Sequence, residues 1–157
     1  MSKMIWIALA TLTLLFSAGF YFFGTARPIS KRTDVAIRES VFHADVADNA
    51  LTRMQGLSGR EGLAPDEGML FLFGREGNYG FWMKDMKFPI DIVWIRGHEV
   101  AGVTADVEAE PKASIFSLKV YYPPGGVDKA LELPAGAAAK SGITAGDQVS
   151  FSDFTGR

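Results

Sequence analysis

The chain has 157 residues, is 48% hydrophobic and 22% charged, and carries a formal net charge of -2. That size fits one ordinary domain plus a short appendage, and the near-neutral balance gives no basic footprint for nucleic acid. Cysteine is absent, which excludes disulfides, thiolate nucleophiles, iron–sulfur clusters and cysteine-ligated zinc.

The first element is Met4 to Phe23, twenty residues without a charge. As a helix it would span about 30 Å, the thickness of a hydrocarbon core. Trp6, Tyr21 and Phe22 lie near its ends, where interfacial aromatics are favoured. Residues 1–26 therefore read as one N-terminal transmembrane or signal helix. Its length favours a retained anchor. Gly24-Thr25-Ala26 is the small-residue exit site of the alternative, a cleaved secretory peptide. Arg27, Lys31 and Arg32 follow the run, and a strict positive-inside count would keep the remainder in the cytoplasm. One N-terminal span followed by a compact domain is, however, the layout of an exported protein, with its domain on the periplasmic or extracellular side. Residues 27–33 read as a linker and 34–157 as the domain.

Within the domain the dominant period is two. Phe42, Ala44 and Val46 alternate with His43 and Asp45, the pattern of a half-buried strand. Asp48-Asn49 caps a short helix over 50–55, closed by Gly56, with Leu51 and Met54 expected on its inner face. Met69 to Phe73 is apolar on both faces, as in a central strand, and 74–80 reads as a polar loop. Strands are predicted over 81–83 and 90–95, joined by the charged turn 84–87, with Pro89 at a strand start. Gly97-His98 turns the chain into 100–103. Further strands are expected at 130–133 and 148–151, with a short helix over 134–141. The predicted fold is mainly β, a small antiparallel sandwich or barrel with one or two short helices.

Four segments in order carry a resemblance: GLSGR (56–60), DEGMLFLF (66–73), FWMKDMKFPIDIVWI (81–95) and ALELPAGAAAKSGITAGDQV (130–149). As a set they are similar to a bacterial and archaeal family called domain of unknown function 192, over Phe42 to Phe151. The resemblance implies a small, mainly β domain behind an export signal or anchor, and supplies no established activity. The family reads Trp-Met-Lys-Asn where this chain has Asp85 after Lys84. An amide donor is replaced there by a charge.

Candidate chemistry gathers at the 82–91 turn. Trp82 offers a stacking plate, Lys84 positive charge, and Asp85 and Asp91 acceptors. Arg53 and Arg60 stand beside it, with forks suited to carboxylate or phosphate. The simpler reading is structural, with a Lys84–Asp85 pair pinning the turn, Asp91 accepting backbone hydrogens and the arginines in internal ion pairs. The functional reading is a membrane-anchored module that binds a small molecule, a glycan or an envelope partner. Its rival is an envelope hydrolase working with Asp85 and Asp91 as a carboxylate pair. Asp106, Glu108 and Glu110 would share one strand face, but such spacing is common on solvated surfaces. His43 and His98 are isolated. No metal and no cofactor is called for, and no nucleic acid. No Walker loop, nucleophile elbow, zincin helix or dinucleotide fingerprint is present.

Overall fold

The structure is a computed structural model that describes residues 31–110, 114 and 116–152. The predicted N-terminal helix and most of the linker lie outside these residues. Among the described residues no helix is long and apolar enough to cross a membrane.

Strands β1 (Arg32–Ile37) and β2 (Ser40–Ala47) form an antiparallel hairpin. Helix α1 (Ala50–Gln55) follows, then β3 (Glu67–Gly77), β4 (Phe81–Trp82), β5 (Ile90–Arg96) and β6 (Glu99–Val107). The chain ends with β7 (Val120–Tyr121), β8 (Val127–Pro134), α2 (Ala137–Lys140) and β9 (Val149–Phe151). Seven strands make one curled sheet in the order β6-β5-β8-β3-β2-β1-β9, and β4 pairs with β7 beside it. The apolar run 69–73 is central as expected, since β3 is the fourth strand of seven.

Several expectations change. The architecture is a single curled half-barrel sheet, with the β4–β7 ribbon beside it, and not a sandwich. It is also mixed, because β2 and β3 run parallel. A parallel pair needs a crossover, and residues 48–66 with α1 supply it. β1 starts at Arg32, inside the predicted linker, and β3 runs on to Gly77, into the predicted loop. Leu51 and Met54 were expected to face inward but are 73% and 68% exposed. The α1 residue that reaches the sheet is Arg53, which donates to the Leu72 carbonyl at 2.8 Å. The β3–β8 ladder shifts register after Leu72, and that irregularity gives the arginine its acceptor. The three acidic residues do not share a strand face. Asp106 sits at φ 50°, and Glu108 and Glu110 lie past the end of β6.

The sheet buries both faces. Val35, Ile37, Leu70, Val93, Leu131 and Leu133 fill the concave side, closed by Ala138 of α2 and Ile143. Met69, Phe71, Ile92, Trp94 and Ala130 alternate with them on the convex side, under Leu57, Phe81, Met83 and Met86. The curl brings the sheet's two edges together at one corner. There Val100 N–H donates to the Asp147 carbonyl at 2.9 Å, Gly146 N–H to Val100 at 2.8 Å, and Val149 N–H to His98 at 2.8 Å.

Candidate functional site

Strand register sets the site. Arg32, Asp45, Met69, Glu132, Ile92 and Thr104 are partners across β1, β2, β3, β8, β5 and β6. Directly paired residues point to the same face, so the row runs along the convex side. Glu132 is at its middle, 5% exposed, and its Oε2 is buried with no hydrogen-bond partner. Burial pushes the Glu132 carboxyl up to about 8, against the opposing pull of the Arg60 charge. Native proteins rarely leave such an atom unsatisfied.

Above Glu132 lies a cavity of about 310 Å³ between the convex sheet face, α1 with its following loop, and β4. Its walls are Phe71, Phe73, Phe81, Trp82, Met54 and Met86. Phe81 orders them. Its ring meets Phe71 edge-on at 4.9 Å and Trp94 at 5.2 Å. Tyr79 stacks on Phe73 at 3.8 Å, while its hydroxyl turns away to the Arg75 carbonyl at 3.1 Å. Phe73 of this wall lies in the register break between Leu72 and Gly77, after which β3 rejoins β8 at Val127.

The roof is local chemistry. Asn49 caps α1, accepting from Leu51 and Thr52 N–H at 3.1 and 3.0 Å, while its own N–H donates to Thr52 Oγ1 at 3.2 Å. Gly56 ends the helix at φ 50°. The next residues are tied to the 83–86 turn, with Ser58 Oγ donating to the Lys84 carbonyl at 2.7 Å and Gly59 N–H to the Asp85 carbonyl at 3.0 Å. Asp85 itself sits at φ 55°. Besides glycine, Asn and Asp are the residues that tolerate this region best.

Asp45 braces one side of the floor. Its Oδ1 accepts from Arg32 Nε at 2.8 Å and its Oδ2 from Arg60 Nη2 at 2.7 Å. Burial would raise this carboxyl, but the hydrogen bonds and charges of Arg60 and Arg32 outweigh it and hold it below the usual carboxylate range. Arg32 also faces Glu67 at 3.5 Å.

The predicted site residues are therefore divided. Arg53 and Trp82 line the cavity. Lys84 and Asp85 pair with one another on the turn outside it. Arg60 reaches Asp45 farther along the same row and does not line the cavity. Asp91 is on the opposite face, fully buried, and accepts from Asp106 N–H and Ala138 N–H at 2.9 Å each. Asp85 and Asp91 thus do not form a facing carboxylate pair. Among the described residues no group of three His, Asp or Glu side chains could hold a metal.

Glu132 was missed. A carboxylate between Leu131 and Leu133, in an otherwise apolar strand, was the available signal. Its neighbours across the sheet, Met69 and Ile92, belong to distant segments, so its lack of a hydrogen-bond partner is a tertiary fact.

Solved structures share the fold. A protein of Sinorhizobium meliloti 1021, provisionally described as a transcription regulator, matches with a TM-score of 0.70 and 24% identity, over 80% of this chain and 98% of its own. A protein of unknown function from Novosphingobium aromaticivorans DSM 12444 matches with a TM-score of 0.70 and 25% identity, over 80% and 91%. No curated protein matches the chain. The family model described as "Uncharacterized ACR", the domain of unknown function 192, matches residues 33–151, and the chain belongs to that family.

Proposed function

We propose that this domain is a binding module of the cell envelope that takes a small ligand in the cavity above Glu132. The single observation behind this reading is a buried carboxyl oxygen without a partner at the floor of an aromatic-walled cavity. Ligand sites are concave, mostly apolar and equipped with a few polar groups, and a perturbed acid in a cleft fits that description. The exposed apolar residues point the same way. Met54 at 68% and Trp82 at 45% stand at the cavity itself, and Val120 pairs with Trp82 beside it. Such clustering outside a core marks an interaction surface.

In this reading Met4 to Phe23 holds the domain at the membrane, on its periplasmic or extracellular side. A metabolite screen on the full-length chain, read by thermal shift and Trp82 fluorescence, tests the binding. A ligand raises the unfolding midpoint by mass action, and Trp82→Ala removes the fluorescence response. Screening hits that bind equally well when Phe73 and Trp82 are both replaced by alanine would refute the cavity assignment. Activity of a C-terminal reporter that works only in the cytoplasm would refute the membrane topology.

A further inference from the structure

Resting on that reading, we infer that the ligand is a small, uncharged ring compound that enters with a hydrogen-bond acceptor, a carbonyl or hydroxyl oxygen, directed at the Glu132 side chain.

Size comes first. A cavity of about 310 Å³ is at the small end of ligand sites, so one ring with a short substituent fits better than a chain or an oligosaccharide. The walls ask for a flat apolar body. Phe71, Phe73, Phe81 and Trp82 present π faces and edges, and Met54 and Met86 add adaptable thioethers.

Charge decides the inner end. Arg60, on the loop after α1, acts on Glu132 through its charge, but its Nη2 donates to Asp45 of β2, which Arg32 of β1 also holds. Arg53 of α1 lines the wall and donates to the Leu72 carbonyl. β3 and β5 turn the apolar Met69 and Ile92 toward Glu132, and β4 contributes Trp82. An organic cation at the floor would need an ionised Glu132 there, beside two arginines. An organic anion at the Glu132 end would find the Arg60 charge already met by Asp45 and Arg53 tied by one N–H to the Leu72 carbonyl on the wall. A buried charge without a counter-ion is costly, so a neutral ligand fits the floor. Burial keeps Glu132 protonated up to about 8, and a protonated carboxyl has one O–H to donate. An incoming oxygen then satisfies the carboxyl and displaces no proton.

Two probes of similar shape test this, benzamide and benzylammonium, each titrated by calorimetry into the full-length chain in lipid nanodiscs. Benzamide is expected to bind with constant affinity below about pH 7 and to weaken about tenfold per pH unit well above 8, with net proton uptake there in buffers of different ionisation enthalpy. Glu132→Gln keeps a donor and the shape, so benzamide affinity at neutral pH stays within about threefold and the pH dependence disappears. Benzylammonium binding that tightens with pH and releases protons would overturn the neutral-ligand inference and leave the cavity reading standing. Loss of benzamide binding in Glu132→Gln, or an unchanged pH dependence in that variant, would also overturn it. Should the variant not fold, the direction of proton exchange in the wild type decides. Absence of binding by both probes would overturn this inference and the cavity assignment together.

Discussion

Asp91 and Glu132 are buried acids on neighbouring strands, one register step apart, and they behave oppositely. Asp91 pairs with Leu133, and Glu132 with Ile92, so the two side chains leave the sheet on opposite faces. On the concave face both Asp91 oxygens accept backbone N–H groups, one starting α2 at Ala138 and one holding the left-handed bend at Asp106. On the convex face Glu132 has no such donor and borders open space. A buried carboxyl with both oxygens engaged is a construction joint. One left incomplete beside a cavity is a place for something else to bind.

Removing the joint should have the largest effect. Asp91→Ala strands two backbone donors and is expected to cost about 3 kcal/mol in denaturant unfolding. A loss below about 1 kcal/mol would remove the contrast between the two acids. Gly68→Ala comes next. An added Cβ would lie 2.8 Å from the Glu132 carbonyl oxygen, forcing β3 away from β8 at a cost of about 2 kcal/mol. The same variant should weaken benzamide, because it moves the floor.

The third prediction concerns pH. The Glu132 pKa is raised to about 8 in the folded state from an ordinary 4.5. Between those values the native chain holds a proton that the unfolded chain has lost. Stability from this group is therefore present at acid pH and declines as pH rises through that window, at most by about 1.4 kcal/mol per pH unit. Unfolding midpoints should fall from pH 5 toward pH 8, and Glu132→Gln should flatten the profile. Asp45 carries the opposite sign. Its depressed pKa gives stability above the unfolded value that is lost in strong acid. The smallest effect is expected for Asp85→Asn, within about 0.5 kcal/mol by thermal unfolding, since both residues tolerate the left-handed backbone.

What was legible in the sequence follows from how local its cause is. Asn49 and Gly56 bracket α1 as read, because caps act over three or four residues. Pro89 and Gly97 bracket β5 for the same reason. The centrality of 69–73 was readable because apolar residues on both faces leave few other places for a strand. The parallel pairing of β2 with β3 was hidden, since partner and direction depend on a crossover whose path no local residue sets. The inversion of α1 was hidden too. Leu51 and Met54 have the spacing of an inward face, but the six-residue helix stands over a cavity and touches the sheet through Arg53. In the candidate site, Arg53 and Trp82 were legible as candidate chemistry beside the 82–91 turn. Asp91 was grouped with them by proximity in sequence, where a single step along a strand reverses the side on which a group emerges. Glu132 required the register of four strands at once.

The corner where residues 146–149 meet the β5–β6 hairpin has a consequence for life in a crowded compartment. An open sheet carries two rows of unsatisfied amides and carbonyls, each a template for a foreign strand. Here the first amides of one row are met by the carbonyls of the other, along Val100, Asp147 and Val149. The domain spends its own two margins on each other, so at that corner neither is left to nucleate stacking with a second copy.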